Sequence, residues 1–107
     1  MITIKDFAQV EMRVGLVTEA AEVEGSEKLL KLTVKVTDEP ITVFAGIKKW
    51  YKPEDLRDKK FIFVTNLEPR QMPGGELSQA MILGVETEEK YVLLVSSTDV
   101  PVGACLR

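Results

Sequence analysis

Leu29–Thr37, LLKLTVKVT, decides the fold. Leu30, Leu32, Val34 and Val36 point one way along it; Lys31, Thr33, Lys35 and Thr37 point the other. A strand's period of two produces this alternation, and a helix does not. Asp38–Glu39–Pro40 then turns the chain and Ile41–Ala45 (ITVFA) returns, so residues 29–45 predict a β-hairpin. Upstream, Val10, Met12, Val14 and Leu16 alternate with Glu11, Arg13, Gly15 and Val17, a half-buried strand running on towards Val23. Gly15 predicts a bend or bulge within it. Thr3 and Asp6 predict a capped helical turn over Ile4–Ala8, with Phe7 turned inward. Glu24–Gly25–Ser26 is a turn into the hairpin.

Downstream, Gly46 breaks the apolar run. Ile47–Tyr51 predicts a short helix, and Pro53–Leu56 a helical turn opened by proline. Lys60–Thr65 is a fourth strand, Ser78–Glu86 and Tyr91–Ser96 form a strand pair, and Val102–Leu106 is a last short strand. Short strands punctuated by turns every ~8–12 residues predict an all-β fold. A small helix between the third and fourth strands points to the five-stranded oligonucleotide/oligosaccharide-binding barrel, the OB-fold, with extra C-terminal strands. A β-sandwich is the rival, but would use more strands. At 107 residues the chain makes one domain, 1–107, with one modest core.

Asn66–Met81, NLEPRQMPGGELSQAM, joins two apolar runs through Pro69, Pro73 and Gly74–Gly75. A loop longer than ~12 residues in a compact domain is functional or disordered. Arg70, Met72, Ser78 and Met81 suit a binding surface better than a reaction centre. The glycine pair is no phosphate cradle, since no G-x-G-x-x-G pattern opens a helix there; it supplies positive φ.

Composition narrows the function. With 45% hydrophobic and 29% charged residues the chain folds rather than staying disordered. It has no histidine and a single cysteine, Cys105. That removes the usual general base, the usual zinc ligands, every Ser/His or Cys/His dyad and any internal disulfide. We expect no catalytic residue, metal or cofactor. No apolar run approaches the ~18 residues of a membrane span, and the N-terminal stretch lacks a signal-peptide pattern, so a cytoplasmic location is expected. Cys105 reads as a small apolar residue near the C-terminus.

Net charge is −3, but it is unevenly spread. Residues 28–70 carry ten basic and six acidic side chains, residues 1–27 balance at −4 and residues 71–107 at −3. Local field governs phosphate binding. Lys31 and Lys35 share the exposed face of one strand and Lys28 stands at its entrance, which makes a phosphate-contacting stripe or an edge-protecting, solubilising one. Trp50 and Tyr51, among Lys48, Lys49 and Lys52, could stack on single-stranded nucleic acid; one of two adjacent aromatics ordinarily plugs the barrel. Met81, entering an apolar strand, reads first as core.

These residues carry a family resemblance. EGSEKLLKLTV (Glu24–Val34), FAGI (Phe44–Ile47), KPEDL (Lys52–Leu56) and NLEPR…SQAMIL (Asn66–Leu83) resemble, in order and spacing, the tRNA-binding domain appended to bacterial methionyl-tRNA synthetases. That domain also occurs as small free-standing tRNA-binding proteins or as a synthetase-associated subunit. FAQVEMRVG (Phe7–Gly15) resembles its opening strand, and the likeness runs from about Ile2 to Leu106. It implies the same barrel, a homodimer whose two copies form the RNA surface, and structure-specific, sequence-nonspecific tRNA binding without catalysis, possible in trans to methionyl-tRNA synthetase. The RNA contacts it implies are Lys28, Ser78 and Met81, to which the charge reading adds Lys31 and Arg70. Thr98–Arg107 is the expected dimer segment. Two departures stand out: Ala80 occupies a position where the family has glycine, and the Arg70–Ser78 segment is about one residue longer. A related branch comprises secretion-linked chaperones that bind unfolded preproteins as dimers; EGSEKLLKL resembles the tRNA-binding branch more closely.

Overall fold

A computed structural model describes residues 1–107. The chain opens with α1 (Ile4–Phe7), capped reciprocally: Asp6 N–H donates to Thr3 Oγ1 and Thr3 N–H to the Asp6 carboxylate. No residue of α1 is buried, so Phe7 does not turn inward as the pattern predicts. A single helical turn has too little stability of its own to hold its apolar side chains against the barrel.

The barrel is built from β1 (Met12–Glu22), β2 (Leu30–Lys35), β3 (Pro40–Ala45) and β4 (Lys59–Val64), with α2 (Pro53–Leu56) between the third and fourth strands. Two short strands, β5 (Arg70–Gln71) and β6 (Leu77–Ser78), pair with each other. They precede β7 (Met81–Ile82), which pairs with β4. The main sheet runs β3-β2-β1-β4-β7, all antiparallel. The β2–β3 hairpin sets Leu32 opposite Val43 and Val34 opposite Ile41. Leu30, Leu32 and Val34 are fully buried, joined by Val17, Val43, Phe63 and Leu56 of α2.

Gly15 is not the bulge. The irregularity lies between Val17 and Glu19, where β1 shifts register against β2 just past the end of its pairing with β4. Gly15 answers a packing demand instead: a Cβ there would lie 2.7 Å from both the Phe63 ring and Val34.

Ile47–Tyr51 forms a turn rather than a helix, with Trp50 N–H and Tyr51 N–H both donating to Ile47 C=O. The predicted strand Ser78–Glu86 is broken, and β8 (Gly84–Glu86) forms its own hairpin with β9 (Tyr91–Leu93). The segment 102–106 meets β1 through a single bridge, Arg13 to Cys105, and backbone bonds to Met12 and Val14. Cys105 is exposed there rather than tucked away. No helix is long and apolar enough to cross a membrane.

Candidate nucleic-acid interface

The long loop is ordered by its own hairpin. Gly75 N–H donates to Met72 C=O with Pro73 and Gly74 between them, and Gly74 takes φ +96°. Proline followed by a positive-φ glycine is the type II turn arrangement. The extra length of this loop is therefore spent on two paired strands, β5 and β6. Its root is fixed by Asn66, whose Oδ1 accepts from Glu11 N–H at 2.9 Å and whose Nδ2 donates to Gln9 C=O at 2.6 Å.

The far end of the loop closes the barrel. β3 would otherwise present an open edge, a row of unpaired N–H and C=O groups. Phe44 N–H donates to Ser78 Oγ at 3.0 Å, and Thr42 N–H donates to Gln79 Oε1 at 2.9 Å. Gln79 N–H returns a bond to Thr42 C=O at 2.8 Å. A serine hydroxyl and a glutamine side chain thus stand in for the backbone of a neighbouring strand. Ser78 is buried as a result. Ala80, where the resemblance expects glycine, packs its methyl into the core and does not adopt positive φ, so the return into β7 has no need of glycine.

Outside this seam lies a groove. One hollow of about 370 Å³ is lined by Phe44, Leu67, Glu68, Arg70, Ser78, Ala80 and Met81. A second, about 300 Å³, shares Phe44, Arg70 and Met81 and continues to Trp50, Glu86 and Tyr91. Met81 is 48% exposed, so it is a wall of this groove rather than the core residue its strand suggests. Its partner across the ladder is Val64, at the end of β4 where the barrel opens.

Three of the five expected contact residues, Arg70, Ser78 and Met81, therefore meet in one place. Lys31 lies one strand away, opposite Phe44 in the ladder, and its Nζ is 2.6 Å from Glu76 Oε1 beside the turn of the loop hairpin. Lys28 stands apart at the entrance of β2. Its N–H donates to Ser26 Oγ at 3.3 Å, and its carbonyl accepts from Lys48 N–H at 3.1 Å. Ser26 also takes the Leu29 N–H, so the EGSEK turn is a hydrogen-bonded platform. Lys48 Nζ caps that platform on Ser26 C=O and approaches Glu22.

Of the two adjacent aromatics, Tyr51 is the structural one. It packs on the core and its hydroxyl oxygen accepts from Leu93 N–H at 3.0 Å. Trp50 lies at the surface, its indole N–H on Glu89 C=O, 6.2 Å from the Tyr91 ring. Lys49 Nζ lies 5.6 Å from the Trp50 ring centroid. Burial, then the nearby Glu86 and Tyr51, raise the Tyr91 hydroxyl above its ordinary pKa. The sequence reading passed over Phe44, Gln79 and Tyr91. The alternation of β3 did hold a signal for Phe44: with Val43 in the core, its neighbour must face outward and requires a cover.

A barrel of this topology, with a groove joining Arg70, Ser78 and Met81, defines a small binding module. The family model described as "Putative tRNA binding domain" matches residues 12–105, and the chain belongs to that family of tRNA-binding domains. It is 46% identical over 103 residues to a methionine–tRNA ligase of Caldanaerobacter subterraneus, covering 96% of this chain and 16% of that protein. The chain thus spans about a sixth of the length of such curated relatives. A crystal structure of a MetRS-related protein from Pyrococcus horikoshii superposes with a TM-score of 0.92 at 39% identity, covering 100% of this chain and 98% of that one. The CsaA chaperone protein of Picrophilus torridus superposes with a TM-score of 0.90 at 29% identity, with full coverage of both chains.

Proposed function

We propose that this domain binds tRNA by its folded shape, as a homodimer and without chemistry of its own, in the cytoplasm and in trans to methionyl-tRNA synthetase. The observation that carries the reading is the meeting of Arg70, Ser78 and Met81 in one groove, in a chain of the tRNA-binding family. Residues 1–107 act as a single domain. Lys28, Lys31 and Arg70 supply phosphate contacts, Met81 an apolar wall, and Ser78 the seam that holds the wall in place. Such contacts follow backbone and ribose and read base sequence weakly. A sequence without histidine supports a non-catalytic role. The likeness to a MetRS-related protein supports action in trans, where a docked module raises effective concentration at the synthetase. The dimer forms on the face where Val10, Met12, Cys105 and Leu106 lie together, within reach of the expected Thr98–Arg107 segment.

A salt series of mobility shifts with unfractionated tRNA tests the reading. Binding that weakens steeply with salt is expected; no shift at low salt with dimeric protein sinks it. Sedimentation showing only monomer at micromolar concentration refutes the dimer. The likeness to a chaperone structure supports one alternative, capture of unfolded preproteins. Its signature is suppressed aggregation of an unfolded client, competed by peptide and not by tRNA.

A further inference from the structure

We propose that the groove from Met81 to Trp50 takes a single unpaired nucleobase of the bound RNA, with that nucleotide's phosphate on Arg70. This rests on the tRNA-binding reading and adds to it a one-nucleotide subsite.

The two hollows meet at Phe44, Arg70 and Met81 and form one continuous groove. At about 370 and 300 Å³ they sit at the small end of ligand pockets, the scale of one nucleotide rather than an oligomer. Arg70 is the only cation lining either hollow, and it makes no ion pair or side-chain hydrogen bond. Glu68 lines one hollow and Glu86 the other. Carboxylates in both hollows prevent a phosphate backbone from running along the groove. One phosphate fits beside Arg70, and whatever occupies the rest must be neutral and, given the apolar walls, flat or apolar.

The Trp50 end favours a flat occupant. Trp50 is 36% exposed, its indole is tilted 33° to Tyr91, and Lys49 Nζ lies over the ring. Every base has a face that stacks on such a ring, so the contact grips RNA without reading sequence. An extended peptide fares worse. Strand addition needs free backbone groups on a sheet edge. The N–H groups that β3 would offer, those of Thr42 and Phe44, are already held by Gln79 and Ser78.

Trp50 is the chain's only tryptophan, so its emission reports this subsite alone. The whole protein is titrated with unfractionated tRNA and with an unstructured RNA tetranucleotide, while a mobility shift follows tRNA binding in parallel. Trp50 emission should be quenched, with the midpoint of the tRNA shift, and the tetranucleotide should quench it at higher concentration. Arg70→Ala should lower the salt slope of tRNA binding by about 0.7–0.9, one phosphate's worth. Trp50→Ala should weaken binding about five- to 150-fold at unchanged slope, and Trp50→Phe should recover part of the loss. Thermal melts verify that each variant folds; should Trp50→Ala not fold, the wild-type quench and Trp50→Phe decide. A tRNA shift with unchanged Trp50 emission overturns the subsite and leaves tRNA binding standing. No shift at all overturns both. Quenching by an extended apolar peptide and by neither RNA assigns the groove to protein clients and overturns the proposal.

Discussion

Replacing Ser78 with alanine isolates the seam that closes the barrel. The Phe44 N–H is buried and has Ser78 Oγ as its acceptor, at 3.0 Å. Alanine keeps the backbone and removes that acceptor. Leaving a buried donor without a partner costs about 1–3 kcal/mol. The seam does not fall open, because Gln79 holds Thr42 through its backbone N–H and its side-chain oxygen. The loss is therefore one hydrogen bond and its desolvation rather than a detached loop. For a domain of this size each kcal/mol lowers Tm by about 4–8 °C, so a fall between about 4 and 24 °C is expected. Urea melts should show a lower midpoint at an unchanged m-value, since the surface exposed on unfolding stays the same. Combining Ser78→Ala with Gln79→Ala should cost more than the sum of the two, as the second change removes the support that limits the first. tRNA affinity should fall only together with stability. An alanine variant with wild-type Tm but weakened tRNA binding would refute this reasoning, because the hydroxyl would then be an RNA contact and not a latch.

Gly15→Ala should destabilise by about 1–3 kcal/mol, because a Cβ at 2.7 Å from Phe63 and Val34 has no room to relax in a packed core; a variant melting like the wild type refutes this. Glu76→Gln should release Lys31 from its 2.6 Å ion pair, which it otherwise gives up to reach phosphate, and tighten tRNA binding by about two- to fivefold, the worth of one exposed ion pair. Stability should change by under about 1 kcal/mol, since both partners are solvent-exposed. An unchanged affinity removes Lys31 from the RNA surface. Glu11 accepts from Arg13 and Thr65, and these bonds, Arg13's first, hold its pKa below the ordinary value of 4.5. With the folded value below the unfolded one, its contribution is complete above the unfolded value and disappears as pH falls through the folded one. Asp99, held down by Lys60, acts in the same direction. Glu11→Gln should lower stability at neutral pH, flatten the acid limb of the stability–pH curve and converge with the wild type at low pH; an unaltered acid limb counts against the pairing.

The strands of the barrel were legible because their alternation has one physical cause, a core on one side. Leu30, Leu32 and Val34 could face nowhere else, and all three are fully buried. The loop was legible as functional but not as structure. Whether Ser78 touches ligand or backbone depends on Phe44, more than 30 residues earlier, and local pattern carries no record of such a pairing. Gln79 was missed for the same reason: a glutamine in a loop carries no local mark of the edge it will cover. Met81 misled because in a two-residue strand the alternation gives the core to Ile82 and turns Met81 outward. Gly15 misled because a glycine in a strand serves either backbone bending or close packing, and only the position of Phe63 decides between them.

The charge distribution bears on why two copies would be needed. Of the cations between residues 28 and 70, Lys31, Lys48, Arg57 and Lys60 are engaged with carboxylates. Those proposed or positioned to meet RNA are Lys28, Lys31, Arg70 and Lys49, and Lys31 must first give up Glu76. Each phosphate neutralised adds about 0.9 to the salt slope, so these four cations supply about 3.6 per protomer. In an acidic chain of net charge −3, that small set must also overcome a repulsive background. A dimer doubles the contacts on one RNA while keeping each protomer's groove intact. The slope measured with tRNA therefore discriminates: a value clearly steeper than one protomer's share requires both protomers on one tRNA, and a value at or below it in dimeric protein means that each copy binds alone.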